Sequence, residues 1–557
     1  MSRMAAVEAQ LLAPGAPFEL TEEEVLGERV RVFAQRPKTL RDVLLRAREF
    51  GDAEYLVFRD GSEERRYTFA EHERLVASAA AAFAARYGVR PGERVALLAA
   101  NCPEWVISFW AAVSSGAIAV GLNGWWTEDE IRYGVEHCQP KVLIADRKRA
   151  ARIRGELGVP LLIIEDEFDA LLAEHAGAEL PSNPIGESDR AIILYTSGTT
   201  GRAKGVVHTH ANVTNMVMVS FFHGARLMMA NPMQAELPQL ANSVLVTSPL
   251  FHVSGLHCAA VTALAGGAKT VWPMGRFDPE TALQLIEREK VTGWGYTATV
   301  LHRLLNHPKV SEYDLSSFRS VGGGGSPIPS PLLDKARACF PNCGNTMGVG
   351  YGLTEGTAFG TLNAGEELSA DPESVGRPVP IVDVEVRDEN GRPVADGVEG
   401  EIHLRGPLVM LEYWNDPDAT AAAIKPGRWL NTGDVGRFEN GRLYIASRKR
   451  DLILRGGENV YPFEIEQRLE AHPKVAEAAV VGVDHEELGQ EVKAIVVFEA
   501  GGEMPDEELA AWVGKTLAYY KVPTLWEARK SPLPRNATGK VLKNALRDAQ
   551  DPMFIEE

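Results

Sequence analysis

Short apolar runs recur along this chain with helix-forming stretches between them, and that alternation constrains the fold more than any single motif. Arg94-Val95-Ala96-Leu97-Leu98, Ala117-Ile118-Ala119-Val120, Val142-Leu143-Ile144, Val244-Leu245-Val246 and Lys269-Thr270-Val271 read as buried strands. Thr68-Phe69-Ala70-Glu71 has capping-box spacing and opens an Ala-rich helix ending near Tyr87-Gly88; another helix starts at Pro103. Strands separated by helices pair in parallel, so the expected class is α/β with largely parallel sheets. From Asp383 the texture changes to Val384-Glu385-Val386 and Glu401-Ile402-His403-Leu404, separated by Asn390-Gly391 and Asp396-Gly397, which predicts antiparallel hairpins in a small barrel-like region. At 557 residues the chain exceeds what one core serves. The charged segment Ser447-Arg448-Lys449-Arg450-Asp451 marks the expected boundary between a large N-terminal domain, 1–446, and a small mobile α+β domain, 447–557.

The run Thr196-Ser197-Gly198-Thr199-Thr200-Gly201-Arg202-Ala203-Lys204-Gly205 directly follows the apolar Ala191-Ile192-Ile193 and reads as a phosphate grip. Glycine lets backbone N–H groups curl around an anion, the hydroxyls add donors, and Lys204 supplies a point charge. It is not a Walker A loop, which counted from Gly198 needs Gly, Lys and Ser or Thr at 203 to 205, where this chain has Ala203, Lys204 and Gly205. A different nucleotide-handling fold is implied.

Composition narrows the partners. A net charge of -18 disfavours nucleic acid and anionic lipid, so phosphate must be bound by local geometry. Five scattered cysteines, Cys102, Cys138, Cys258, Cys339 and Cys343, suit a reducing compartment, and no secretory signal opens the chain, so a cytoplasmic location is expected. Cys339 and Cys343, and His208-x-His210, lack the further ligands of a metal site and read as structural. The uncharged stretches from Trp105 to Trp126 and from Asn242 to Ala268 are broken by Gly, Ser and Pro, as in helix and strand pairs and not in membrane spans.

Several separated motifs agree in order: Gly92-Glu93-Arg94-Val95-Ala96, the phosphate loop, Pro249-Leu250-Phe251-His252-Val253-Ser254-Gly255, Gly350-Tyr351-Gly352-Leu353-Thr354-Glu355, Asn431-Thr432-Gly433-Asp434, Ser447 to Asp451, and Pro534-Arg535-Asn536-Ala537-Thr538-Gly539-Lys540. Together they resemble the adenylate-forming superfamily of acyl-CoA synthetases, aryl-CoA ligases, luciferases and peptide-synthetase adenylation domains. The resemblance implies an ATP-dependent acid–thiol ligase that joins a carboxylate to the α-phosphate of ATP, expels pyrophosphate and passes the acyl group from AMP to a thiol. A carboxylate is a weak nucleophile attacking an anionic centre, so such chemistry needs charge neutralisation and in-line positioning more than a base.

By the same resemblance, Thr196, Ser197, Gly198, Thr199, Thr200, Gly201 and Lys204 hold the β- and γ-phosphates, and Glu355 binds Mg²⁺. Thr354 donates near the α-phosphate, Tyr351 stacks on adenine, and Gly323 and Gly324 of the run Gly322 to Gly325 line the adenine and acyl sites. Asp434 and Arg448 contact the ribose, Lys540 bridges the attacking carboxylate and the α-phosphate, and His252 sits beside the acyl group. The C-terminal domain is expected to rotate about Arg450, presenting Lys540 first and then Gly456 and Gly457, whose missing side chains leave a tunnel for pantetheine. Arg450 stands where the family usually has aspartate or lysine, Ala203 replaces the common proline, and Ser447 replaces the glycine before Arg448.

The acyl pocket is expected near His252 to Gly255, Trp294 to Thr299, Gly322 to Gly325 and Glu355 to Phe359. Those stretches hold no lysine or arginine, which favours a monocarboxylic acid, a medium- or long-chain fatty acid first and an aryl or sterol-derived acid second. CoA is the expected acceptor, a separate carrier protein the alternative. A degenerate nucleotide-binding regulator would have lost Lys540 or Glu355, and both are present. Thr21-Glu22-Glu23-Glu24 has the look of a short capped helix, in a segment that packs on the large domain or assists a homodimer.

Overall fold

The computed structural model describes residues 3–196, 202–231, 233–325, 328–448, 451–456, 458–486, 488–499, 501–536 and 539–547. Two large sheets form the body. In the seven-stranded sheet, Arg94–Leu98 lies between Ile118–Gly121 and Val142–Ala145, and Arg190–Thr196 runs parallel to Ile118–Gly121. Lys204–Thr209 then returns antiparallel along Arg190–Thr196. The nine-stranded sheet carries Ser243–Val246, Gly293–Tyr296, Ser320–Gly324 and Gly348–Tyr351 side by side and parallel, with Thr361–Ala364 antiparallel against the last.

The helix Phe69–Tyr87 starts where its sequence dictates. Thr68 and Glu71 exchange the two capping hydrogen bonds, and Gly88 ends the helix in the left-handed conformation at φ 66°. Pro103–Ser114 is buried on every face, with Trp105 and Trp110 in the core, and this is why its sequence carries so little charge. Among the described residues no helix is long and apolar enough to cross a membrane.

Asp383–Arg387, Glu399–Arg405, Ile424–Lys425, Trp429–Glu439 and Arg442–Arg448 form the antiparallel half-barrel that the hairpin signals predict. A last five-stranded sheet follows, covered by Pro462–Glu470 and Asp506–Gly514, with an apolar core of its own around Ile453, Ile465, Leu469, Val480 and Val492. The molecule is thus a large mixed α/β body with a β half-barrel and a small C-terminal unit.

One expectation fails. Thr21 to Glu24 belongs to a strand, Leu20–Val25, paired antiparallel with Glu28–Phe33 through a two-residue turn at Leu26 and Gly27, both at positive φ. Alternation sends Glu22 and Glu24 to solvent and Glu23 inward, where it meets the buried Arg36 at 2.7 Å; Glu187 meets the same guanidinium at 3.0 Å. A long-range partner for Glu23 outweighs the local capping signal.

The two faces of the four parallel strands differ. Trp294, Tyr296, Val321 and Val349 point to one side and pack under the helices Pro279–Glu289, Ala298–Leu305 and Ser330–Cys339. On the other side, register places Gly293, Gly295, Gly322, Gly324, Gly348 and Gly350 together on three adjacent strands. A Cβ at Gly295 would meet nothing within 4 Å, and one at Gly322 only a carbonyl at 3.6 Å. On this glycine floor space therefore lies above Gly295 and Gly322, whereas an added Cβ would crowd the Gly350 carbonyl at Gly324 and Leu362 Cδ2 at Gly350, each at 3.0 Å.

Candidate active site

The carboxyl-terminal edge of these parallel strands is where an open α/β sheet places a ligand, and most of the expected residues that the structure describes lie near it. Tyr351 ends one strand and donates its hydroxyl to Asp434 Oδ2 at 2.8 Å, tying the nine-stranded sheet to the half-barrel. Asp434 faces Arg448 across the ladder between Trp429–Glu439 and Arg442–Arg448.

Glu355 lies in the turn Thr354–Gly356, just beyond Tyr351, and its Oε1 accepts from the Tyr413 hydroxyl at 2.8 Å. Burial and the neighbouring Glu355 carboxylate hold the Tyr413 phenol well above its ordinary pKa, so it stays a donor. Lys204 places its Nζ 5.0 Å over the Tyr413 ring, and Thr196 pairs with Lys204 at the mouth of the phosphate loop. Lys204, Tyr413 and Glu355 form one connected row. Ser197, Gly198, Thr199, Thr200 and Gly201 lie outside the described residues.

The turn carrying Thr354 and Glu355 is held from several sides. The Thr354 carbonyl accepts from His208 Nε2 at 2.7 Å, and His208 Nδ1 in turn accepts from His257 Nε2 at 3.1 Å. A carbonyl can only accept, so the direction of both bonds follows. Burial lowers His208 to about 4, and burial with the His208 neighbour puts His257 well below the ordinary range, so both rings are neutral. Thr357 and Ala358 follow at φ 47° and 86°, and Gly352 is obligatory because a Cβ there would stand 1.6 Å from the Ala358 carbonyl. Such backbone costs on the order of 1–3 kcal/mol per residue and persists only under constraint. The constraint comes from the Thr357 hydroxyl on the Leu408 carbonyl at 2.6 Å and Met410 N–H on the Glu355 carbonyl at 2.8 Å.

His252 follows the strand Ser243–Val246 through a loop clamped by Asn101, whose amide donates to the Ser248 carbonyl at 3.0 Å and accepts from Leu250 N–H at 2.8 Å. Its Nε2 has no hydrogen-bond partner among the described residues, and burial lowers the ring to about 4. His252 and Cys258 lie deep in the protein and yet keep part of their surface open, as residues lining an internal slot do.

Lys540 sits on a hairpin closed between Arg535 and Val541. Lys540 N–H donates to Asn536 Oδ1 at 2.9 Å, and its carbonyl accepts from Asn536 N–H at 2.8 Å. Arg535 clamps the Gly539 carbonyl at 2.8 Å while binding Glu477, also at 2.8 Å. The same carbonyl takes the Thr299 hydroxyl at 3.4 Å, so the hairpin docks on the edge of the nine-stranded sheet beside Thr297.

Two expected residues stand apart. Gly323 points away from the slot, where a Cβ would meet Ile328 Cδ1 at 2.0 Å, leaving only its peptide groups for a ligand. Gly456, at φ 59°, turns a separate hairpin between Ile453–Arg455 and Glu458–Val460. Gly457 and Arg450 lie outside the described residues. Strand alternation also corrects the expected pocket wall: Trp294 and Tyr296 belong to the opposite core, and Gly293 and Gly295 face the slot. Tyr413, Asn101 and the His208–His257 pair escaped the sequence reading. The Gly-apolar-Gly-aromatic pattern of 293–296 and 348–351 was a legible sign of the floor.

The sequence matches the model of the AMP-binding enzyme family over residues 45–414 and that of the AMP-binding enzyme C-terminal domain over 464–540. The chain belongs to the AMP-binding enzyme family. It is 34% identical over 506 residues to a long-chain-fatty-acid–CoA ligase of Bacillus subtilis, covering 84% of this chain and 87% of that one. Identity is also 34% over 482 residues to a feruloyl-CoA synthase of an Amycolatopsis species, covering 86% and 93%. The fold superimposes on ATP-bound MatB from Rhodopseudomonas palustris with a TM-score of 0.81 at 27% identity, over 93% of this chain and 99% of that one. The protein is an adenylate-forming CoA ligase, and ATP is the nucleotide of its family.

Proposed function

We propose that this AMP-binding enzyme activates an extended, largely apolar monocarboxylic acid as its acyl adenylate and transfers it to CoA, a medium- or long-chain fatty acid being the first substrate class. The observation that carries the reading is the glycine floor, with Val244 and Val246 beside it on the same face. A surface without side chains accepts a long chain or a flat ring and supplies no cation for a second carboxylate. The long-chain-fatty-acid and feruloyl activities named for the relatives support that range. An aryl acid is the second reading, favoured by the flatness of the floor.

In the first step a carboxylate oxygen bonds to the α-phosphorus of ATP as the bond to the bridging oxygen breaks and pyrophosphate leaves. In the second the thiolate sulfur of CoA bonds to the acyl carbon and AMP leaves. Lys540 offsets the charge that builds as carboxylate and phosphate meet, and its docking through Gly539 onto Thr299 supports that role. Lys204 and the loop from Thr196 hold the β- and γ-phosphates, Thr354 donates near the α-phosphate, and Asp434 takes the ribose hydroxyls while Tyr351 fixes its carboxylate. Glu355 is the residue that fits Mg²⁺: Tyr413 engages one oxygen, and the other has no hydrogen bond among the described residues. Bound Mg²⁺ would neutralise phosphate charge. For the second step the unit from 447 onward turns about Arg450 and brings Gly456 and Gly457 to the site. Five free cysteines support a reducing, cytoplasmic setting.

Pyrophosphate release across fatty and aryl acids, with and without CoA, tests the reading. Lys540→Ala is expected to slow adenylate formation by about 10²–10³-fold and to spare thioester formation from supplied acyl adenylate. Equal loss in both half-reactions removes Lys540 from its place.

A further inference from the structure

The floor has an inner end. Gly348 lies three positions before Tyr351 on its strand, roughly 10 Å from the reacting edge at about 3.3 Å per residue. Above it stands His223, on the long helix His210–Ala230, with Nε2 3.8 Å from the place a Gly348 Cβ would occupy. The same point lies 3.4 Å from Ala364 Cβ and 3.5 Å from the Asn363 carbonyl, so Gly348 lacks a side chain where the strand Thr361–Ala364 and the imidazole close over the floor. His223 lies deep in the protein but keeps part of its surface open, like His252 and Cys258 nearer the edge.

The neighbours of His223 decide what it offers. Arg226 Nη2 lies 3.3 Å from His223 Nδ1, and a guanidinium only donates, so Nδ1 accepts and the proton of the neutral ring sits on Nε2. Burial and the adjacent Arg226 charge lower the ring to about 3 and keep it neutral. Arg226 is itself buried and bound to Glu8 at 3.2 Å, on the N-terminal helix Arg3–Leu11, so its charge is compensated. Among the described residues Nε2 has no hydrogen-bond partner. At its inner end the glycine floor thus meets one N–H donor without net charge.

We propose that His223 is a specificity-determining residue whose Nε2–H receives a neutral oxygen, a hydroxyl or ketone, carried by the acid roughly 10 Å from its reacting carboxyl. This rests on the acyl-slot reading above and narrows it: the favoured acids carry a distal oxygen and are not plain hydrocarbons. A buried donor left unpaired discriminates against an acid that lacks the acceptor.

The test compares acids matched in size: octanoic acid with its ω-hydroxy derivative, and phenylpropanoic acid with its para-hydroxy derivative. Octanedioic acid serves as the charged arm. The readout is kcat/KM for pyrophosphate release by the full chain. Wild type is expected to favour the oxygenated member of at least one pair about tenfold or more, and His223→Leu to erase that ratio while keeping turnover of the plain member. His223→Asn, which retains an N–H, keeps part of the preference; if His223→Leu does not fold, the wild-type ratio and His223→Asn decide. Ratios near one in wild type, or ratios unchanged in His223→Leu, overturn the assignment. Preference for octanedioic acid overturns the neutral-oxygen class. Failure of the acyl-slot reading looks different: wild type then turns over no member of either pair, and the role of His223 falls with it.

Discussion

On the strand Gly293–Tyr296 the side chains pointing one way, Trp294 and Tyr296, are sealed against Phe318, Leu301 and Leu304, whereas the positions pointing the other way, Gly293 and Gly295, carry no side chain at all. The next two strands repeat the contrast, with Val321 and Val349 on the packed face and Gly322, Gly324, Gly348 and Gly350 on the bare one. One face spends its side chains on stability. The other omits them, which under the proposed function leaves room for the acid, and gives up the packing that a core would have gained.

The contrast predicts opposite phenotypes from neighbouring residues. Trp294→Ala should cost about 3–5 kcal/mol, as large core truncations do, lowering the thermal midpoint while the ranking of acids by kcat/KM stays fixed. A changed ranking would place Trp294 at the slot after all. Gly295→Val should do the reverse: its new methyls enter open space, so the thermal midpoint is retained, but turnover of long acids falls by about 100-fold, or about 2.7 kcal/mol, with short acids spared. Uniform loss across chain lengths would mean that the floor is not where the acid lies.

Finer still is the pair Gly322 and Gly323. Gly323→Ala drives a Cβ into Ile328 and Tyr296 and should destabilise by about 1–3 kcal/mol, the usual cost of overpacking. Gly322→Ala meets only a carbonyl at 3.6 Å, and its effect should appear in KM for the acid and scarcely in the thermal midpoint. The last effect is spread over several pH units and concerns acid. His223 is held near 3 in the fold and titrates near 6.5 when unfolded, so between these values the unfolded chain binds the proton and the native chain does not. Stability therefore falls as pH drops from 6.5 toward 3 and is untouched above 6.5, by at most about 1.4 kcal/mol per pH unit for this one group. Melting curves of His223→Leu should show a shallower acid limb than wild type. Identical limbs would mean that His223 is already charged in the fold.

Much of this architecture was legible. Thr68, Glu71 and Gly88 announce the limits of their helix because capping is local chemistry, complete within a few residues. The order of the motifs likewise announced an adenylate-forming enzyme and drew attention to Tyr351, Thr354, Glu355, Asp434 and Lys540. What escaped were partners far apart in the chain. Tyr413 reaches Glu355 across 58 positions and His208 reaches Thr354 across 146; no local spacing encodes either contact. The hairpin at Leu20–Phe33 was misread for the same reason, since the partner of Glu23 lies outside any helical window.

The sequence by itself determined the alternation of strands and helices, the caps, the family and the chemistry, because each rests on residues close in the chain or on motifs whose residue types the reaction requires. Only the tertiary structure decided which face of each strand is bare, that six glycines from three strands share it, and that His223 stands over its inner end. Those facts depend on strand register and helix placement. Register is set by long-range pairing, and a shift of one residue would have turned every floor glycine of a strand toward the packed core.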